Sequence, residues 1–226
     1  CPKQILHSIA HIEYNAKTFY LYTFLRFFTD ENFFEFFQEK NYENLKEFSD
    51  DILNIVWEES THFNMLQNRL VELDSFYCDF PIHDKLWGNC LSTKEDFIAR
   101  ICVISLVQES RGLDAGPRLV HKLKSLGDPK SSKIMQKIVD DEINHVKIGV
   151  KWFKKLVDYK EYGIKINYFA DNFIEKDCKV REDIYTNYFK NVCKNYLSSP
   201  IVPPFNEDLR KTAGMPKIWY NDCDKI

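Results

Sequence analysis

Apolar residues recur along this chain at the three- and four-residue spacing of helices that bury one face. One stripe runs through Leu6, Ile9, Glu13, Ala16, Tyr20 and Phe27. A second runs through Phe48, Ile52, Ile55, Glu59, His62, Leu66 and Leu73. A third holds Ile98, Cys102, Ser105, Glu109 and Leu113, and a fourth Met135, Ile138, Glu142, His145, Gly149, Trp152 and Leu156. These stripes predict long helices over residues 4–28, 42–73, from 92 or 93 onward, and 128–159.

Punctuation between the stripes sets the connections. Residues 75–93 carry Asp79, Pro81, Asp84, Gly88 and Asn89 and read as a long crossover between the second and third helices. The third helix is expected to start near Ser92 or Thr93, with Glu95 placed for a capping box. Gly112 and Pro117 predict a break or kink, with Asp114 capping a short continuation to Leu126. Asp128 caps the fourth helix and Pro129 occupies its first turn. Residues 163–226 show two weaker helical patterns, then Ser198-Ser199-Pro200 and Pro203-Pro204-Phe205-Asn206. They read as a helical extension packed on a bundle formed by residues 1–162, the whole forming one domain.

Composition agrees with an all-α protein. Of 226 residues 44% are hydrophobic, enough for one sizeable core, and breakers are few at 7 Gly and 8 Pro. A net charge of −3 offers no general field for nucleic acid. Lys147, Lys151, Lys154, Lys155 and Lys160 cluster as the solvated face of the fourth helix. The cysteines, at 1, 78, 90, 102, 178, 193 and 223, are odd in number and form no Cys-x-x-Cys. Reduced thiols in a cytoplasmic protein are expected. No membrane-spanning run or signal peptide is visible. The chain begins at Cys1 without Met, so residues upstream are expected.

The chemistry lies in what interrupts the stripes. Glu59-Ser60-Thr61-His62 and Glu142-Ile143-Asn144-His145 each place a carboxylate and an imidazole on one helical face, a turn apart. Glu13 and Glu109 interrupt the other two stripes. Four unpaired carboxylates in a core would be very costly to bury, and no Arg or Lys stands on the stripes to neutralise them. Two divalent cations would balance them. Two Glu-x-x-His helices with one further Glu from each of two others form a recurrent two-metal arrangement in helical bundles. The blander alternative is half-exposed glutamates and satisfied core histidines. Numbering provides a check: residue 36 lies midway between Glu13 and Glu59, and Ser125–Leu126 midway between Glu109 and Glu142. Both midpoints fall at or beside predicted turns.

Other polar residues have quieter readings. His7 and His11 suit a structural or supporting role, and His83 a loop-bracing hydrogen bond. Asp141 could orient a ligand histidine, as ligating imidazoles usually require. Arg111 is expected to pair with Asp114 or a backbone carbonyl. Tyr20 is the phenol best placed near the metals. Small residues Ala16, Ser105 and Gly149 predict a substrate pocket on their side, walled by Tyr20 and Ile52. Bulky Ile9, Leu66, Leu113 and Ile138 should fill the other side.

Several stretches carry a family resemblance. They are Ala10-His11-Ile12-Glu13, the run from Asp79 to Trp87, Glu109-Ser110-Arg111-Gly112-Leu113-Asp114 and Pro203-Pro204-Phe205-Asn206. Over residues 5–215 the chain resembles a bacterial ferritin-like family catalogued as domain-of-unknown-function family 455. Ser110 stands where Ala is more usual, and residues 33–47 look longer than usual. The resemblance implies a ferritin-like four-helix bundle with a two-metal centre and supplies no substrate.

Taken together, these features lead us to expect an O2-activating di-metal oxidoreductase. Glu13, Glu59, His62, Glu109, Glu142 and His145 are its expected metal ligands. Glu109 and Tyr20 are expected to take part in the chemistry. Hard carboxylates with imidazoles suit iron, manganese or a mixed pair. Six protein ligands leave open positions for O2 and a small organic substrate. Which glutamate bridges stays open. An electron-donor protein and a second copy of the chain are candidate partners. The competing readings are non-catalytic iron storage and, by superfamily analogy alone, tRNA hydroxylation.

Overall fold

A computed structural model describes residues 1–29, 33, 34, 37, 42–162, 177–221 and 223. Among them every regular element is helical. In chain order these are α1 (Pro2–Phe27), α2 (Tyr42–Glu72), α3 (Lys85–Ser92), α4 (Phe97–Ile101), a π-helical segment (Cys102–Gln108), α5 (Glu109–Ser125), α6 (Pro129–Tyr162), α7 (Asp177–Tyr196), α8 (Glu207–Thr212) and α9 (Lys217–Tyr220).

The long helices pair as two hairpins. α1 packs along α2, and α5 along α6. At one end of the first hairpin Lys3 Nζ donates to the Asp74 carbonyl at 3.1 Å. At the other end aromatic rings lock four elements together. Phe27 contacts Phe97 at 4.8 Å between centroids, Phe48 contacts Phe97 at 5.5 Å, and Phe48 meets Trp152 edge-on at 5.0 Å. The connection expected to turn near residue 36 lies largely outside the described residues.

Nearly all stripe residues are buried, including the six acidic and imidazole side chains. The core has two apolar clusters. One gathers Leu6, Ile9, Leu66, Met135 and Ile138, the other Tyr20, Ile55, Val146 and Trp152. Along α1, α2 and α6 the boundary between them falls at Glu13, Glu59 and Glu142. A polar layer therefore divides an otherwise apolar interior.

The third helical stretch differs from expectation at both ends. It starts later, with the Asp96 side chain capping α4 by accepting from Ala99 N, while Glu95 pairs with Arg26 across to α1. It does not break at Gly112–Pro117. α5 continues through Pro117, because a proline removes a single backbone donor while Leu113, Gly116 and Leu123 stay buried on the packing face. Asp114 caps nothing. It ties α5 to the C-terminal region by accepting from Arg210 Nη2 at 2.6 Å and from Asn206 N at 2.9 Å. The π turn before Glu109 has six consecutive buried residues, Cys102 to Val107.

The crossover contains α3 and is braced by His7 and His11 of α1, while His83, expected to brace the loop itself, takes part through its backbone carbonyl. His11 Nε2 faces the His83 carbonyl at 2.7 Å, and His7 Nε2 accepts from Cys78 N at 2.9 Å. The lysine face is more engaged than expected. Lys155 pairs with Glu47 at 2.9 Å, and Lys151 with Glu47 and Asp51. C-terminal side chains share the core, with Trp219 packed on Phe153 and Phe189.

Candidate metal centre

Four helical elements carry the candidate residues to one level. α1 supplies Glu13, α2 supplies Glu59 and His62, α5 opens with Glu109, and α6 supplies Glu142 and His145. Two groups result, Glu13–Glu59–His62–Glu142 and Glu59–Glu109–Glu142–His145. Within each, one donor atom per residue lies within 4.8 Å of the others, and all members are buried. Glu59 and Glu142 belong to both groups. The structure thus brings together all six residues singled out from the stripes.

The imidazoles point their Nδ1 atoms inward. His62 Nδ1 is 3.1 Å from Glu13 Oε2, and His145 Nδ1 is 2.9 Å from Glu59 Oε1. Their Nε2 atoms point outward to carboxylates beyond the centre. His62 Nε2 lies 2.9 Å from Asp141 Oδ2, and His145 Nε2 lies 2.8 Å from Glu58 Oε2. A carboxylate can only accept here, so Nε2–H donates and leaves the Nδ1 lone pair free for a cation.

Charge is badly balanced without such cations. Burial, then the nearby Glu59 carboxylate, pushes Glu13 well above the usual carboxylate range. Burial, then Glu142 and Glu59, does the same to Glu109. Burial would raise Glu59 too, but the adjacent His145 and His62 imidazoles hold it below its ordinary value. Burial opposes charge on His62, yet Glu13 and Glu59 push it up to about 11. His145 is raised well above its usual value against burial, by Glu142, Glu58 and Glu59. Protons on these groups offset what would otherwise be a concentrated negative charge. Even so, Glu59 Oε1 and Oε2, Glu142 Oε2 and His145 Nδ1 are buried with no aligned hydrogen-bond partner among the described residues. Buried polar atoms rarely go unsatisfied. Hard oxygen and imidazole donors aimed at one another are the donor set that divalent iron or manganese takes. The residues fit a metal pair.

Tyr20 is buried beside Glu109 and Ser105, and its hydroxyl also lacks an aligned partner. Burial, then the Glu109 carboxylate, raises it well above its ordinary value, so the phenol keeps its proton.

A cavity of about 180 Å3 adjoins the centre. Glu13, Glu109 and Glu142 form its polar floor, and Ile9, Ile138 and Leu119 are among its apolar walls. This corrects the expected placement in most respects, since the space is lined by Ile9 and Ile138, and of the residues expected around it Ala16 takes part but Ser105, Gly149, Tyr20 and Ile52 do not. Gly149 leaves no room on the other side. A Cβ there would meet Ser105 Cβ at 2.7 Å and the Ser105 carbonyl at 2.8 Å, so its smallness is used by helix contact. Space opens instead where α5 presents Gly112 and Ala115, while Gly116, also in the lining, is used by close contact with Val139.

One further feature escaped the sequence reading, and one expected pair is absent. Glu58 orients His145, although it stands directly before Glu59 just as Asp141 stands before Glu142. That repeated acidic pair was the available signal. The Arg111–Asp114 pair does not form, because Asp114 is taken by Arg210.

Fold and site define a helical protein whose core carries buried glutamate–histidine groups able to hold metal ions. The chain belongs to the family described as "Protein of unknown function (DUF455)", which matches residues 2–221. It is 38% identical over 151 residues to an uncharacterized protein of Haemophilus influenzae, covering 67% of this chain and 50% of that protein. The chain therefore spans about half the length of this curated relative. No solved structure matches. No helix among the described residues is long and apolar enough to cross a membrane.

Proposed function

We propose that this chain is a ferritin-like four-helix bundle holding two metal ions, iron or a manganese–iron pair, and that it oxidises a small organic substrate with O2. One observation carries the reading: two buried donor groups share Glu59 and Glu142 and open onto an apolar cavity. Glu13 and His62 would hold one ion and Glu109 and His145 the other, each together with the shared Glu59 and Glu142. When bound, such a pair supplies electrons to O2 and Lewis acidity.

The chain's own residues do the rest. Asp141 and Glu58 fix the two imidazoles and keep their Nδ1 lone pairs directed inward. The apolar walls exclude water from the reacting face. Glu109, like Glu13 and Glu142, belongs to a donor group and faces the cavity, and of the three it stands beside Tyr20. Tyr20 holds a proton beside Glu109, at the Ser105 side of the centre.

Elemental analysis after anaerobic reconstitution with ferrous iron, followed by stopped-flow mixing with O2, tests the proposal. Uptake at both positions and rapid oxidation are expected. Metal uptake that survives Glu59→Ala combined with His145→Ala would sink the ligand assignment. No oxidation over minutes would point to a structural or hydrolytic centre. Continued accumulation of iron well beyond two ions would point to storage.

A further inference from the structure

We propose that the cavity takes a small apolar carboxylic acid, held by Arg111 and Gln108 of its lining. This rests on the functional reading above and names the substrate class for that site.

Arg111 lines the cavity and is partly open to solvent, while its guanidinium is desolvated by its surroundings near Arg210, Cys193 and Asp114. It makes no hydrogen bond or ion pair among the described residues. The acid within helical reach is already saturated. Asp114 Oδ1 accepts from Arg210 Nε at 2.9 Å and from Asn206 N at 2.9 Å, and Oδ2 accepts from Arg210 Nη2 at 2.6 Å. Arg210 is fully buried, so that pairing is built into the fold. Arg111 is left without a direct ion pair beside an apolar space, with Asp114 near it but bound to Arg210.

Gln108 stands one turn before Arg111 and lines the same cavity. Its Nε2 is buried without a hydrogen-bond partner among the described residues. A buried donor left unpaired is costly, and a ligand oxygen would satisfy it. Arg111 offers donors only, and the unpartnered atom of Gln108 is its Nε2 donor rather than its Oε1 acceptor. The charged acceptors in the lining are the floor carboxylates that would hold the metals.

Charge selects the ligand further. Two divalent ions balance the four glutamates, which leaves the charge of Arg111 for one anion. Among the described residues Arg111 is the lone cation in the cavity lining, so a phosphate dianion would be left half-neutralised. A guanidinium fork matches the two coplanar oxygens of a carboxylate. The remaining walls, Ile9, Ile12 and Leu119 among them, call for a hydrocarbon body. A volume of about 180 Å3, against the ~150 Å3 that accommodates benzene, fits a single ring or short chain.

Calorimetric titration of the zinc-loaded full chain tests this, with benzoate and hexanoate compared with benzamide and hexanamide. The acids are expected to bind about ten-fold tighter than their amides. Arg111→Gln should bring each acid down to the level of its amide without altering zinc content, Arg111→Lys should keep part of the preference, and Gln108→Leu should weaken the acids. Equal binding of acid and amide by the wild-type chain would overturn the proposal, as would a preference that survives Arg111→Gln. Tighter binding of inorganic phosphate than benzoate would also overturn it. A chain that takes up no zinc refutes the functional reading instead, and the same acid–amide comparison on that chain still decides the role of Arg111.

Discussion

The imidazole of His62 on α2 donates to Asp141 on α6, with Nε2 and Oδ2 2.9 Å apart. Asp141 directly precedes Glu142, which shares a donor group with His62. Glu58 and His145 repeat the relationship in reverse at 2.8 Å. Each of these helices orients the imidazole carried by the other.

Asp141→Asn and Glu58→Gln should therefore act on the opposite helix. Each change keeps the shape but removes the charge that fixes an Nε2–H tautomer. Metal affinity at the position of the affected histidine should fall by about 10–100-fold. Competition with a chromophoric chelator measures this. Affinities equal to wild type would mean that packing alone aims the rings.

Sharing predicts unequal losses. Glu59→Ala or Glu142→Ala removes a member of both groups, so both ions should be lost. Glu13→Ala should spare the position built on Glu109 and His145, and Glu109→Ala the one built on Glu13 and His62. Metal-to-protein ratios after gel filtration separate these outcomes. Loss of both ions in every variant would refute independent outer positions.

Proton balance fixes the direction of the pH dependence. His62 is raised from 6.5 to about 11, and Glu13, Glu109 and His145 are also raised. In the metal-free chain the stability that protonated His62 contributes is complete below 6.5 and is lost as pH rises toward about 11. Metal must displace these protons, so binding releases protons and strengthens as pH rises. The zinc-induced increase in Tm should grow between about pH 5.5 and 8. Calorimetry in buffers of different ionisation enthalpy counts the protons. A shift that shrinks with pH would contradict the assigned protonation.

Gly149→Ala tests the corrected cavity placement. A methyl group there collides with Ser105 at 2.7 Å. Stability should fall by ~1–3 kcal/mol from overpacking, with metal content unchanged. Urea denaturation gives the first quantity and elemental analysis the second. Unchanged stability would show that the α6 contact has slack.

The candidate centre was legible in sequence because each acidic or imidazole residue replaces an apolar one on a stripe, and helical spacing alone then sets its direction. Helix ends at Asp128 and Pro129 were legible for a similarly local reason. The cavity was not. Its side depends on how closely helices approach, and a small residue can either open space or be consumed by contact. Gly149 is consumed, while Gly112 leaves a gap beside Glu142, whose Cγ would lie 3.4 Å from an added Cβ. The π turn was also invisible, since apart from Ser105 the run from Cys102 to Val107 is apolar all round and an extra residue per turn leaves no mark on its pattern. Pro117 misled because local propensity predicted a break that tertiary packing overrides.

Neither hairpin holds a complete donor group by itself. The group around His62 needs Glu142 from the second hairpin, and the group around His145 needs Glu59 from the first. During synthesis, a chain still emerging from the ribosome cannot form either group until α6 has been made and has docked. Metal capture at these groups would thereby be postponed to the end of folding. A retained ion would certify that chain segments far apart in sequence have met in the right register.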